Sequence, residues 1–180
     1  MDELTLLTIQ GSSWIEEISE QMMNAAREAF EGQNVEVDYY YNEFNTEESL
    51  LDLSNRAQRS VQVLFDFMKA TPRIDIGERS STDRIQSEID TVGFYVAVSS
   101  LRDDRGVTRK HNCFRAITQL RRRFSQFKVS VTVDINGGKN EFMLRILDID
   151  RVPEIPFLSV YLIQWELDIK SIDLQWQKPA

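Results

Sequence analysis

Apolar and polar positions change period several times along this chain, and each change marks an element. Ile15, Ile18, Met22, Ala25, Ala26 and Ala29 recur at helical spacing, which predicts an amphipathic helix from Ser13 to about Glu31. Ser13 and Glu16 have capping-box spacing, Glu16 and Glu17 sit where the helix dipole favours acids, and Gly32 supplies a stop. Val35, Val37, Tyr39 and Tyr41 then alternate with polar residues, as in a half-buried strand. Thr46 to Arg56 reads as a short helix capped by Thr46, with Leu50, Leu51 and Leu53 inward. Val61, Val63, Phe65 and Phe67 alternate again and predict a strand; one helix from Thr46 to Ala70 is the rival reading. Thr71-Pro72 ends the element in either case.

Arg73 to Asp83 is polar and loop-like. Ile85, Ser87, Ile89 and Thr91 lead into the β-branched and aromatic run Val92 to Val98, so one long strand is expected. Leu101 to Gly106 interrupts with four charges and a glycine, which suits a surface connection. From Arg109 the period is helical, with Cys113, Phe114, Ile117, Leu120, Phe124 and Phe127 on one stripe. Arg115, Gln119, Arg122 and Arg123 lie opposite. Val129, Val131, Val133 and Ile135 alternate up to Asn136-Gly137, the strongest short hairpin signal, and Phe142 to Asp150 forms the return strand. Pro153 and Pro156 bracket a turn before a last long strand, Phe157 to Ile169. Its Tyr161, Ile163, Trp165, Leu167 and Ile169 share one face. Leu4 to Ile9 is apolar and of unassigned type.

Short connections between strands predict a largely antiparallel sheet. The expected fold is therefore α+β: a single domain over residues 1–180, with a mostly antiparallel (mixed) sheet and two main helices on one face. A β-hairpin elaboration at about 129–150 and a C-terminal arm at 170–180 complete it. No internal repeat or low-complexity tract is visible.

Composition narrows the function classes. With 180 residues and 42% hydrophobic content, one core of ordinary size is expected. No apolar run approaches the roughly 20 residues of a membrane helix. The acidic start MDELTLLTIQ lacks the basic opening of a signal peptide. A single cysteine excludes an internal disulfide and predicts folding in a cytoplasm. A net charge of −8 argues against general nucleic-acid binding, which needs a cationic surface.

Candidate chemistry is sparse. His111 and Cys113 are the only residues of their types, and two apart on a helix they point in different directions, so neither a ligand pair nor a Cys-His catalytic pair results. Asp148 and Asp150 share a strand face but are too few for an oxygen-ligand site. Asp134-x-Asn136-Gly137 resembles the start of a calcium loop without its later glycine and glutamate. Gly137-Gly138-Lys139 lacks the preceding glycine and following hydroxyl of a phosphate loop. No catalytic, metal or cofactor residue is therefore expected. Two charged groups remain as surface candidates. Arg121, Arg122 and Arg123 suit a helix C-terminus and equally an acidic partner. Arg102, Asp103, Asp104 and Arg105, with Arg109, are either a solvated loop or a contact that selects partners by charge.

The centre of the chain resembles the tail-terminator (tail-completion) proteins of Mu-like phages and prophages. The residues that carry this are Val96-Ala97-Val98-Ser99-Ser100-Leu101-Arg102, Arg105-Gly106, and Phe114-Arg115-Ala116-Ile117 to Leu120-Arg121. Ser60 to Phe65 is similar to the strand before that unit, and Ser159 to Leu167 to its last strand. The similarity spans roughly Glu16 to Ile169, with departures at Arg73 to Asp83 and Val129 to Asp150. It implies a structural virion protein, assembled in the host cytoplasm, with no catalytic residues. Such a protein forms a homo-oligomeric, usually hexameric, ring that ends the tail tube and meets the head-side connector, with sheath proteins as further neighbours. Other neck, tube-end or injection-machine components are the alternative within that class. A small ligand-binding domain or enzyme is the alternative outside it.

Overall fold

A computed structural model describes residues 14–74, 84–100, 106–132, 138–153 and 155–173. Among them the order is α1 (Trp14–Ala29), β1 (Val35–Tyr39), α2 (Glu47–Ala57), β2 (Val61–Ile74), β3 (Arg84–Ser99), α3 (Gly106–Phe124), β4 (Lys128–Thr132), β5 (Lys139–Met143), β6 (Arg145–Val152) and β7 (Leu158–Asp173). Five strands form one sheet in the order β1-β2-β3-β7-β6, and β4 and β5 form a separate two-stranded sheet. The β1–β2 pair is parallel and the other pairs are antiparallel. The chain is thus an α+β domain with a mixed sheet.

The long strands β2, β3 and β7 make the centre, and their alternation decides what each face buries. Val63, Phe65, Val92, Phe94, Val96, Ile163, Trp165 and Leu167 lie on one face and are buried. Two helices cover that face. From α1 come Ile18, Met22, Met23 and Ala26, and from α3 come Cys113, Ala116, Ile117, Leu120 and Phe124. Phe94 is the hub of the aromatic core, with ring centroids 5.3 Å from Phe65, 5.5 Å from Phe124 and 6.1 Å from Trp165. Burying each such ring contributes roughly 1.5–3 kcal/mol. The other face carries Leu64, Ala97, Leu158 and Val160 beneath Leu53 and Ala57 of α2. Tyr40, Phe44 and Tyr95 extend this second cluster, with centroids 4.8–5.2 Å apart.

Several expectations hold in detail. Thr46 caps α2 by accepting from the Ser49 amide, and because that helix ends at Ala57 and a strand begins at Val61, the single long helix is excluded. Gly32 ends the turn after α1 at φ +73°, a conformation that only glycine adopts without cost. The long strand through Val92 runs for 16 residues. The two main helices, α1 and α3, share one face as expected, and the expected short helix, α2, lies on the opposite face.

Others are corrected. Leu51 points outward, 57% exposed, because Leu50 and Leu53 already fill the inward side of that short helix. Pro72 does not end β2, which continues to Ile74 with Pro72 opposite Glu88. A bulge between Phe67 and Lys69 shifts the register there. Helix α3 starts at Gly106, earlier than Arg109. The return strand is two strands, because Leu144 turns into the core between β5, which pairs with β4, and β6, which pairs with β7.

The hairpin tip, 133–137, lies outside the described residues. Below it, Thr132 stands opposite Lys139. A two-residue turn on Asn136-Gly137 would set Thr132 opposite Glu141, so the observed register is two residues out of step with it. The Ser13 cap, the Leu4–Ile9 segment and the 174–180 portion of the arm also lie outside the described residues. β7 itself runs to Asp173, opposite Arg84.

Candidate interaction surface

Helix α3 offers its inner stripe to the sheet and its outer face to solvent. Cys113 is fully buried, its Sγ 4.0 Å from the Val96 carbonyl, and burial pushes its thiol up to about 12. His111 is exposed on the other side of the helix, so the two do not converge. Phe114 was expected inside; it is 40% exposed and packs edge-on against Tyr161 at 5.5 Å. Beside it opens a groove of about 650 Å³ lined by Gln33, Phe114, Arg115, Thr118, Gln119 and Arg122. Two guanidinium groups next to a half-exposed ring suit an acidic partner with an apolar contact. Pattern reading missed Phe114 as a surface residue because it sits at the edge of the apolar stripe. Its neighbour Arg115 was the available signal.

The three arginines at the end of α3 divide by role. Arg121 and Arg122 are exposed. Arg123 is engaged within the chain: its Nε donates to the Ala25 carbonyl at 3.2 Å and its terminal nitrogen meets Glu28 at 2.7 Å. It also lies 5.5 Å over the Phe127 ring. Gln119 donates to the Ala29 carbonyl. Both side chains bind carbonyls near the C-terminal end of α1, that of Ala29 being one the helix itself leaves open, and so tie α3 to α1. Arg102, Asp103, Asp104 and Arg105 lie outside the described residues, as does the side chain of Arg109. The residues bracketing that loop are placed. Ser100 donates to the Phe157 carbonyl at 2.8 Å, and Phe157 is 58% exposed with φ 64°.

The β1–α2 side is acidic and partly organised around Arg56. Its guanidinium meets Asp52 at 3.1 Å, Gln62 at 3.3 Å and Glu43 at 3.8 Å. Glu36 accepts from the Ser60 hydroxyl at 2.7 Å and from Gln62 at 3.0 Å. The Ser60 bond is the largest influence and, with Gln62, Arg56 and Arg59, holds the Glu36 carboxyl below its usual range against the opposing effect of burial. Asp66 is shifted the other way, by burial first and then by the Glu43 charge.

Asp148 and Asp150 are both exposed on the edge strand β6, and Asp148 accepts from the amide of its own neighbour Ile149. Among the described residues, no three His, Cys, Asp or Glu side chains gather as a metal site. No described helix is long and apolar enough to cross a membrane. Neither a protein-family model nor a curated protein matches the chain.

Proposed function

We propose that this protein is a structural phage-tail component of the terminator type, forming a ring that ends the tail tube and meets the head-side connector. One observation carries the reading. The separate stretches behind the family resemblance come together as one packed unit. Ser60 to Phe65 enters β2, Val96 to Ser99 ends β3, and Ser159 to Leu167 lies in β7. These are the three adjacent central strands, and α3, with Phe114 to Arg121, packs across them. Stretches about a hundred residues apart thus form one scaffold. The work of such a protein is done by surfaces, and the outer face of α3 is one with the groove and charge for it.

Negative-stain microscopy of the purified chain, alone and mixed with Mu-like tail tubes, tests the proposal. Rings, or tubes capped at uniform length, are the expected result. A monomer that leaves tube length unchanged sinks it. Reversal of Arg102 and Arg105 to glutamate should leave the fold intact and give overlong or ragged tubes.

A further inference from the structure

We infer that the chain associates with its own copies head to tail, the outer face of α3 in one copy seating on the outer face of the β1–α2 unit in the next. This rests on the assembly reading above and adds the two surfaces that make the contact.

Charge is segregated along the chain. Between residues 105 and 133 there are eight lysines and arginines and no acid, in a protein of net charge −8. Between residues 28 and 55 there are eight acids and no lysine or arginine. Folding uses some of these: Arg123 binds Glu28, and Arg56 binds Asp52 and Glu43. Arg115, Arg121 and Arg122 stay exposed on one block, and Asp38, Glu47 and Glu48 on the other.

The fold sets these remainders on opposite sides of the sheet. α3 packs against the face of Phe94, Val96 and Ile163. α2 packs against the face of Leu64, Ala97 and Val160, and Asp38 stands on that same side, opposite Leu64. The exposed backs of the two helices therefore point away from each other. A two-fold dimer sets each patch against itself, which here means like charge against like charge. Head-to-tail contact satisfies both faces and leaves one of each free at the ends, so the assembly closes as a ring or runs on as a filament. Exposed ion pairs contribute only about 0–1 kcal/mol each. The charges therefore steer and orient, while the groove beside half-exposed Phe114 supplies apolar contact.

The test is light scattering on size-exclusion-separated full-length chain, at about 0.05 M and about 0.5 M salt. Wild type should assemble at low salt and dissociate at high salt. Arg115→Glu with Arg122→Glu, or Asp38→Lys with Glu48→Lys, should each weaken assembly about tenfold or more. An equimolar mixture of the two variants should assemble again, because each supplies the charge the other now needs. Circular dichroism checks that both fold; should a reversal unfold the chain, the neutral pairs Arg115→Ala with Arg122→Ala and Asp38→Asn with Glu48→Gln replace it and should flatten the salt dependence. Wild type that stays monomeric at low salt overturns this inference; the ring reading falls with it only where that monomer also leaves tube length unchanged. Wild type that assembles while the variants assemble equally, or fail to rescue one another, overturns the two surfaces and leaves the ring reading standing.

Discussion

The side-chain amide of Gln21 grips the backbone of Ser130 from both sides. Its Nε2 donates to the Ser130 carbonyl at 2.7 Å, and its Oε1 accepts from the Ser130 amide at 2.9 Å. One turn earlier on α1, Glu17 accepts from the Thr132 amide at 2.7 Å and from its hydroxyl at 2.6 Å. Side chains of α1 thereby satisfy the edge of β4 that β5 leaves open, and a two-stranded ribbon that is marginal alone becomes part of the domain. Gln21→Ala should lower the denaturation midpoint by the equivalent of about 1–2 kcal/mol. Hydrogen exchange at the Ser130 amide should accelerate. Unchanged exchange would mean the grip does not persist in solution.

Gly93 is a point of close approach. A Cβ there would stand 2.8 Å from the Ile163 carbonyl oxygen, 2.9 Å from the Met68 Cε and 3.2 Å from the Leu162 Cδ1. Met68 is the bulge residue of β2, and its sulfur accepts from Gln164 at 3.2 Å, so the side chain lies across the space a Cβ needs. The Met68 contact is with the tip of a flexible side chain, whereas the Ile163 carbonyl is held in the β-ladder. Gly93→Ala should destabilise by about 1–3 kcal/mol. The companion Gly93→Ala with Met68→Ala should recover only part of the loss. Full recovery would show that the clash is with the methionine alone.

Phe157 holds a left-handed backbone, φ 64°, in the turn just before β7. With the side chain 58% exposed, packing returns little for that strain. Phe157→Gly should therefore raise the thermal midpoint, by about 0.5–1 kcal/mol after the entropic cost of glycine. A drop in midpoint would show that the ring contributes more to stability than its exposure suggests.

Acid stability should carry two opposed signatures. The folded pKa of Glu36 is lowered, so its stabilising contribution is present above the unfolded glutamate value and is lost as pH falls through the folded one. Glu36→Gln should remove that portion of the acid limb. The folded pKa of Asp66 is raised, so its charge weakens the fold above that pKa, and the penalty vanishes once pH falls below the unfolded aspartate value. Asp66→Asn should stabilise near neutral pH and make no difference in strong acid. Equal effects at both pH values would contradict the assigned cause.

Cys113 should resist thiol reagents in the native protein. With its thiol pushed up to about 12 by burial, the reactive thiolate is scarce between pH 7 and 9. Labelling with an aromatic disulfide reagent should proceed only at the rate of unfolding and be the same at both ends of that range. Rapid labelling of folded protein would place the thiol nearer solvent.

Period and punctuation alone favoured the right type for most segments, although the strand at Val61 was separated from a rival long helix only by the structure. Val61 to Phe67 alternates as a strand over the sheet, Thr46 caps the short helix before it, and Tyr161 to Ile169 keeps one face inward throughout. These follow from side-chain direction in a local backbone, so local chemistry carries their signal. What the chain order did not contain is which surfaces meet. Leu51 and Phe114 look like core residues on their own helices and are exposed, because the neighbours that cover a stripe come from other parts of the chain. Pro72 lies inside a strand rather than at its end, since the long partner β3 continues past it. Arg123 binds Ala25 and Glu28 while Arg122 faces the groove, although the two are adjacent in sequence. Only tertiary packing sorts one arginine from the next. The same packing sets the basic helix and the acidic helix on opposite faces of one sheet.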